Sequence, residues 1–160
     1  MRDVPTGTKR TPLISKKISS AVCIEYNGSV CLGRRALICA VTGKTNSFAG
    51  YWSPFGGLVE EGENPMCGAV RELKEETGIS INISDLSYIQ EIENSDGFTY
   101  ILYAYHASKL LYPKLNFEHD EYGYFRLSDL TVSPTPMCPK VSSSLIDYDE
   151  RRWKGGSIII

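Results

Sequence analysis

The segment that most limits how this chain can fold is GLVEEGENPMCGAVRELKEETGI, residues 57 to 79, which holds six Glu in twenty-three positions. Like charges one turn apart weaken a helix by about 0.2–0.5 kcal/mol per pair, so this concentration of carboxylates opposes helix formation unless it is compensated. Two explanations are open at this point. Either the acidic face is simply solvated, or a cationic group binds there.

The same segment carries the start and stop signals of a helix over about residues 65–77. Asn64 is a favourable N-cap, Pro65 suits the first helical position, and Gly78 stands where a C-cap glycine is expected. An apolar stripe recurs at helical spacing, formed by Met66, Ala69, Val70 and Leu73. We expect the glutamates to occupy a different side of the helix from this stripe.

Three of the glutamates share one helical face because Glu72, Glu75 and Glu76 stand at positions i, i+3 and i+4. Such a cluster of hard oxygen ligands suits Mg²⁺ or Mn²⁺. Two glycines, Gly56 and Gly57, precede the helix, allow the backbone to approach closely and offer a carbonyl ligand. Arg71 is placed to pair with a carboxylate and hold its orientation.

Length and composition narrow the possible class of protein. A chain of 160 residues is long enough for one domain with a core. The formal charge of −2 and the pI of about 5.7 argue against a general nucleic-acid binder, and no apolar run is long enough for a membrane span. With no CxxC pair and a polar N-terminus, we expect a cytoplasmic protein with reduced thiols at Cys23, Cys31, Cys39, Cys67 and Cys138.

The order of predicted elements favours the α+β class. Residues 1–14 are expected to form an extended arm, and residues 15–160 a single domain that begins with a hairpin around Asn27-Gly28. WSPF is expected to be a short strand, and VSSSLIDYDERR a C-terminal helix. Further strands are predicted at 79–83, 86–93, 98–106 and 122–127. One helix packed against a sheet is the arrangement that fits this order.

At this point the chain resembles a known family. The acidic segment matches the Nudix box without departure, through Gly57, Glu63, Arg71, Glu72, Leu73, Glu75, Glu76, Gly78 and Ile79. The resemblance extends over about residues 18–148 and implies an α/β/α sandwich with a mixed sheet. It also implies hydrolysis of a nucleoside diphosphate linked to another moiety, with Mg²⁺ or Mn²⁺ as the cofactor.

The resemblance assigns roles within the box. It implies that Glu75 and Glu76 are direct metal ligands, that Glu72 is a ligand or a base, and that Arg71 orients a carboxylate. A backbone carbonyl of Gly56 or Gly57 is expected to complete the metal ligands. The general base stays open among Glu118, Glu121 and Glu72, with Glu118 favoured, because family members often use a late loop Glu. We interpret His119 as a surface residue of that loop.

Substrate recognition is less constrained by the sequence. Arg34 and Arg35 end a predicted strand, and one of them is a candidate phosphate ligand. Trp52 and Phe98, together with Tyr51 and Tyr100, are candidates for stacking on a base, although each also suits the core. ADP-ribose or another nucleoside-diphosphate sugar is slightly favoured, and a (d)NTP, including an oxidised one, is the alternative.

Two other functional classes remain as alternatives. A regulator that only binds a nucleotide would not need every carboxylate of the box. A calcium-binding interaction protein would need its ligands on a loop rather than on a helix. The tail SIII is expected to dock on the domain or to add an edge strand, with a homodimer contact as the alternative.

Overall fold

A mixed sheet forms the centre of the fold in this computed structural model, which describes residues 17–37, 43, 45, 48–94 and 97–157, with side chains up to residue 151. Within those ranges the strands are β1 (Lys17–Tyr26), β2 (Ser29–Arg35), β3 (Trp52–Ser53), β4 (Phe55–Leu58), β5 (Leu86–Glu93), β6 (Phe98–His106) and β7 (His119–Arg126). The helices are α1 (Pro65–Thr77) and α2 (Val141–Ser157), with short 3-10 turns at Ile83–Asp85 and Leu127–Asp129. None of the described helices is both long and apolar enough to cross a bilayer.

The strand order is β3-β2-β1-β6-β5, with β4 paired to β1 and β7 paired to β2. Strands β1 and β6 run parallel from Lys17 to Glu25, and the other pairs are antiparallel. Positive φ angles of 50° at Asn27 and 82° at Gly28 close the β1–β2 hairpin, as a two-residue turn of this kind requires. The predicted mixed sheet and hairpin are confirmed.

Successive residues of β1 face opposite sides of the sheet and so divide the core into two clusters. Ala21 and Cys23 point into a cluster that is closed by Val141 and Leu145 of α2. Val22 points into the other cluster, which is closed by helix α1 through Ala69 and Leu73. Helices therefore cover both faces, and the expected α/β/α sandwich of the α+β class is confirmed.

The predicted strand at 79–83 is wrong. Ile79 and Ile81 are partly buried against the cluster under α1, which explains their apolar alternation, but they pair with no described strand. The side chain of Asn82 accepts a hydrogen bond from the backbone of Ser84 and starts the 3-10 turn instead. Apolar alternation here reflects docking of a connecting segment rather than strand pairing.

The late strand begins earlier than expected, and the placement of His119 on the loop surface is wrong. Strand β7 starts at His119, which pairs with Arg35 of β2. Its side chain is 4% exposed, and its ring packs edge-on against Phe55 with the ring centroids 5.0 Å apart. The sequence around His119 is polar, so nothing local predicts the aromatic partner that buries it.

The remaining fold predictions have mixed outcomes. Strands 86–93 and 98–106 and the C-terminal helix are confirmed, and the WSPF strand is divided at Pro54 between β3 and β4. The predicted arm at residues 1–14 and the last three isoleucines lie outside the described residues. The assignment of residues 15–160 to a single domain stays a prediction.

Candidate functional site

Helix α1 is fixed at both ends by the residues that predict it. The side chain of Asn64 accepts a hydrogen bond from the backbone N–H of Met66 at 2.8 Å. At the other end Gly78 adopts a φ of 75° and donates its N–H to the carbonyl of Lys74. The helix is therefore held in one register relative to the strand before it, which determines where its glutamates point.

Two glycines of β4 let the strand pass close to both β1 and α1. A Cβ atom on Gly56 would lie 2.1 Å from the carbonyl oxygen of Ser20 and 2.5 Å from Cα of Ala21. A Cβ atom on Gly57 would lie 2.6 Å from the carboxylate carbon of Glu72. Gly56 therefore needs to be glycine because backbone atoms approach it, whereas Gly57 allows the Glu72 carboxylate to lie against the strand.

Glu76 is a fully buried carboxylate. Its side chain faces the sheet, where its Oε1 accepts a hydrogen bond from the backbone N–H of Gly56 at 3.1 Å. Its Oε2 has no hydrogen-bond partner among the described residues. Burial, followed by the charges of Glu118 and Glu72, raises the pKa of Glu76 to about 10, and the nearby charge of Arg35 opposes this rise.

Glu72 and Glu118 complete a group of three carboxylates with Glu76. One ligand oxygen from each of the three residues lies within 4.8 Å of the other two. Burial is the main cause that raises the pKa of Glu72, although Arg71 donates to its Oε2 at 3.1 Å and lowers it. Three carboxylates this close repel one another strongly unless a proton or a cation lies between them.

The segment before β7 is bound to the C-terminal end of α1, and this brings Glu118 to the helix. Lys114 N–H donates to the carbonyl of Thr77 at 2.9 Å, and Asn116 N–H donates to that of Glu76 at 3.2 Å. The Asn116 side chain also accepts from the backbone of Glu118 at 2.9 Å. Asn116 is thus a positioning residue that the sequence analysis missed, and its only local signal is an Asn two residues before the Glu.

Arg71 binds the outer carboxylates of the segment. It contacts Glu63 through Nε at 2.9 Å and Glu75 through Nη1 at 3.2 Å, and its Nη2 donates to the carbonyl of Leu58 at 3.1 Å. This hydrogen bonding lowers the pKa of Glu63 to about 2 and raises that of Arg71. Glu75 is half exposed and pairs with Arg71, so the structure places it outside the group of three.

The two candidate arginines of β2 lie in different surroundings. Arg34 pairs with Asp120 at 2.8 Å and with Glu121 at 3.2 Å at the surface. Glu121 is therefore held by Arg34 and does not join the three carboxylates. The charge of Arg35, by contrast, acts on Glu76 and also lowers the pKa of His119, to about 4, in addition to the larger effect of burial. Arg35 is therefore the arginine whose charge reaches the carboxylates, and its backbone pairs across the sheet with His119, the neighbour of Glu118.

The two candidate aromatic residues are separated. Trp52 is 8% exposed, packs edge-on against Phe125 and lines a cavity of about 370 Å³ together with Arg34 and Arg35. Phe98 lies at the start of β6, opposite Lys17, whose Nζ is 5.6 Å from the centre of its ring. Trp52 therefore lines the same cavity as the two arginines, whereas Phe98 lies next to Lys17 at the start of β6.

A larger cavity, of about 570 Å³, lies away from these groups. Its lining includes Asn27 and Gly28 of the hairpin turn, together with Arg126 and Asp149. Asn27 lies six positions after Ala21, the partner of Gly56, along extended strand β1, a distance of ~20 Å. The larger cavity therefore lies away from the carboxylates. The candidate site is identified by its carboxylate oxygens rather than by cavity size.

The donor set fits a hard divalent cation. Three carboxylates converge, and one of their oxygens is buried and has no hydrogen-bond partner among the described residues. An oxygen in this position requires a proton or a cation, and Mg²⁺ and Mn²⁺ prefer carboxylate oxygens. The geometry thus agrees with the ion that the sequence pattern suggests.

The comparisons with known proteins decide the family. A family model described as "NUDIX domain" matches residues 16–146. The chain belongs to the NUDIX domain family. No curated protein sequence matches it at a significant level.

Solved structures confirm the Nudix fold at low sequence identity. A MutT NUDIX hydrolase from Burkholderia pseudomallei is 23% identical, with a TM-score of 0.65, covering 81% of this chain and 95% of its own. The Ap4A hydrolase of C. elegans is 17% identical, with a TM-score of 0.61 and coverage of 85% and 98%. The NUDIX domain of Shewanella oneidensis NrtR, solved with ADP ribose, is 15% identical, with a TM-score of 0.67 and coverage of 88% and 90%.

The Nudix box of this chain divides into two sets of carboxylates. Glu72 and Glu76 face inward and meet Glu118, which lies outside the box. Glu63 and Glu75 face Arg71, which binds both. The box therefore supplies two members of the group of three and an ion-pair network beside them, and Arg71 links the two sets because it also donates to Glu72 at 3.1 Å.

Proposed function

We propose that this Nudix hydrolase cleaves a phosphoanhydride bond of a nucleoside diphosphate linked to another moiety, with Mg²⁺ or Mn²⁺. The observation that carries the proposal is the convergence of Glu72, Glu76 and Glu118 beside Arg35. Carboxylates alone would repel an anionic diphosphate. Three carboxylates around a cation, together with the positive charge of a guanidinium, form a site that attracts an anionic diphosphate.

Glu72 and Glu76 would hold the cation, and Gly56 or Gly57 would add a carbonyl ligand, which leaves Glu118 next to the cation as a base. Bound Mg²⁺ would neutralise phosphate oxygens and lower the pKa of coordinated water. Arg71 would keep Glu72 oriented through the hydrogen bond at 3.1 Å. Arg35 would bind a phosphate oxygen and balance the charge that develops in the transition state.

Glu118 is the general base that the geometry favours. Its carboxylate belongs to the group of three and is partly exposed, so water can reach it, whereas Glu76 is buried. Glu121 is paired with Arg34, and Glu72 is held by Arg71. Glu118 would take a proton from the attacking water at the phosphorus atom.

The substrate class that we favour is ADP-ribose or another nucleoside-diphosphate sugar, with attack at phosphorus. Support comes from the complete box and from the charge of Arg35, which acts on Glu76 and would attract a diphosphate. The NrtR domain, a protein of the same fold, was solved with ADP ribose. A (d)NTP pyrophosphohydrolase, including one for oxidised nucleotides, is the alternative, because a (d)NTP also presents a diphosphate to the cation and to Arg35.

A substrate panel tests this proposal. Purified protein with Mg²⁺ or Mn²⁺ would be given nucleoside-diphosphate sugars, diadenosine polyphosphates, NADH, and normal and oxidised (d)NTPs. Products would be identified by mass, and H₂¹⁸O would show which phosphorus is attacked. We expect Glu76→Gln to lower turnover by at least ~10²-fold because a metal ligand is lost. Release of no product by the wild-type protein with either metal would contradict the proposal.

Matched variants separate the roles of the glutamates. Glu91→Gln, on the exposed face of β5, controls for loss of one surface charge and should leave turnover unchanged. Glu118→Gln and Glu121→Gln would be compared over a range of pH. We expect the first to lower kcat by roughly 10²–10⁴-fold and the second to have little effect. The reverse order would assign the base to Glu121.

A further inference from the structure

A second cavity lies at the C-terminal end of β2, whose last residue, Arg35, pairs with His119, the neighbour of Glu118. We call it the Trp52 cavity. It has a volume of about 370 Å³, and its lining among the described residues includes Arg34, Arg35, Leu37, Trp52, Asp120 and Pro136. This volume lies toward the small end of the range of ligand sites, about 300–1,000 Å³.

Shared residues join the Trp52 cavity to the carboxylates. Arg35 lines the cavity, and its charge also acts on Glu76. Asp120 lines the cavity two residues after Glu118, and the carbonyl of Glu118 accepts from Ala36 N–H at 2.9 Å. A diphosphate bound between the carboxylates and Arg35 would therefore direct one of its substituents into this cavity.

The lining of the Trp52 cavity combines apolar and polar side chains. Leu37, although 63% exposed, lines it together with Trp52 and Pro136. Arg34 and Asp120 supply a donor and an acceptor, paired at 2.8 Å. A nucleobase has apolar faces and a polar edge that carries donors and acceptors, so it matches both sides. A sugar carries hydroxyls around its ring and would leave several of them against the apolar side.

A strained turn borders the cavity. Phe48 has a φ of 56° and Gly50 a φ of 79°, and the turn is tied to β2 because Gly50 N–H donates to the carbonyl of Arg35 at 2.8 Å. Arg35 N–H in turn donates to the carbonyl of Tyr51 at 2.9 Å. A bulky residue in the left-handed region is rare and is retained where its surroundings over-determine it. The turn thus fixes the backbone around Arg35.

We propose that the Trp52 cavity binds the nucleobase of the substrate, between the apolar side formed by Leu37 and Trp52 and the polar pair Arg34–Asp120. The inference rests on the proposed function for the identity of the substrate as a nucleotide. Its test, however, measures binding rather than turnover. A failure of the nucleobase proposal can therefore be distinguished from a failure of the proposed hydrolase function.

The test uses Trp52 as a reporter of occupancy. Trp52 and Trp153 are the two tryptophans of the chain, so Trp153→Phe leaves Trp52 as the single tryptophan, which is excited selectively at the long-wavelength edge where tyrosine does not absorb. The probes are the α,β-methylene diphosphates of four nucleosides, the corresponding ribose 5-diphosphate analogue without a base, and methylenediphosphonate. All resist hydrolysis at the bridged position and would be titrated with Mg²⁺ present. We expect at least one nucleoside probe to quench Trp52 and to bind roughly tenfold tighter than both base-free probes.

Two variants examine the two sides of the cavity. Leu37→Ala and Asp120→Asn should each weaken binding of the nucleoside probe by roughly fivefold or more and leave methylenediphosphonate binding unchanged. Leu37 is exposed and Asp120 is part of a surface ion pair, so neither change should prevent folding. Ile83→Ala removes an exposed apolar side chain elsewhere, and Asp147→Asn breaks the exposed pair with Arg151. Both controls should bind like the wild type.

The possible outcomes separate the alternatives. Tighter binding of a nucleoside probe, lost in both variants and kept in both controls, would support the proposal. Equal binding of the ribose analogue would assign the cavity to a sugar and overturn it. If Leu37→Ala and Asp120→Asn weakened the binding of every probe equally, the substitutions would act through the structure of the protein. That result would also overturn the nucleobase proposal. Absence of hydrolysis by the wild type would refute the proposed function and leave this measurement valid.

Discussion

Glu76 is the residue where burial and charge conflict most strongly. A carboxylate with no solvent exposure and one oxygen without a partner among the described residues is stable only if it is protonated or bound to a cation. The fold keeps it there because Gly56 N–H holds the other oxygen and because α1 is capped at both ends. The site therefore costs the metal-free protein stability that a bound metal would restore.

This conflict predicts a pH dependence of stability. The pKa of Glu76 is raised to about 10 in the folded protein from an ordinary value of 4.5, so between these pH values the folded state holds a proton that the unfolded chain has lost. The contribution of Glu76 to the free energy of unfolding must fall as pH rises through that window. At pH 8 without metal, Glu76→Gln should be more stable than the wild type by at least about 1 kcal/mol.

Urea unfolding in EDTA from pH 4 to pH 9 checks this expectation. The difference between the two proteins removes the contribution of His119, whose pKa is lowered to about 4 and which gives an opposite slope between about pH 4 and 6.5 in both, and leaves that of Glu76 with its coupling to Glu72. Adding Mg²⁺ at pH 8 should stabilise the wild type and not the variant. A wild type that is the more stable of the two in EDTA at pH 8 would contradict the argument.

At the scale of elements, strand β4 connects the sheet to the carboxylates through two neighbouring glycines with different roles. A side chain on Gly56 would clash with backbone atoms of β1, which cannot move without breaking the strand pairing. A side chain on Gly57 would meet the end of the Glu72 side chain, which can move aside. The same substitution at adjacent positions should therefore have different consequences.

We predict that Gly56→Ala lowers the free energy of unfolding by at least about 2 kcal/mol, since it disrupts pairing between β4 and β1. Gly57→Ala should change stability by less than half as much, yet lower kcat by roughly tenfold or more because it displaces Glu72. Thermal unfolding and steady-state kinetics on the two variants give both numbers. Normal kcat in Gly57→Ala would show that the position of Glu72 is not critical.

The sequence predicts some elements well because their signals are local. The bounds of α1 follow from Asn64, Pro65 and Gly78, all within one turn of the helix ends. The strand expected at 79–83 failed because apolar alternation cannot distinguish pairing from docking. His119 was misplaced because its burial depends on Phe55, a contact between residues distant in the chain.

The candidate site was likewise predicted only as far as its signals are local in the sequence. The box identifies Glu72 and Glu76, but Glu75 has the same helical spacing and turns out to pair with Arg71. The side to which each carboxylate turns depends on the position of β4 against α1, which no local pattern encodes. Glu118 was a candidate from the resemblance, and its convergence with Glu76 depends on hydrogen bonds between residues 114–116 and the end of the helix.

At the scale of the whole molecule, the sheet separates two hydrophobic clusters with different relations to the site. Leu73 lies in the cluster under α1, one residue after Glu72, and is fully buried. Leu145 of α2 lies in the cluster on the other face and is 2% exposed. Truncation of either side chain removes a similar volume from a packed core, which costs about 2–5 kcal/mol.

We therefore predict that Leu73→Ala and Leu145→Ala lower stability to a similar extent, whereas only Leu73→Ala lowers kcat strongly. Loss of packing under α1 changes the position of its glutamates, while the sheet shields them from changes under α2. Urea midpoints, together with kcat measured well below both unfolding transitions, provide the check. An equal loss of kcat in the two variants would mean that the sheet does not insulate the site.

The three carboxylates reach the site from positions far apart in the chain. Glu72 and Glu76 arrive with α1, whereas Glu118 arrives only when the segment before β7 is hydrogen-bonded to the end of that helix. A ribosome completes the box well before it reaches Glu118. A nascent chain with only the box exposed therefore lacks the third carboxylate, and the proposed site cannot assemble until Glu118 has also been synthesised.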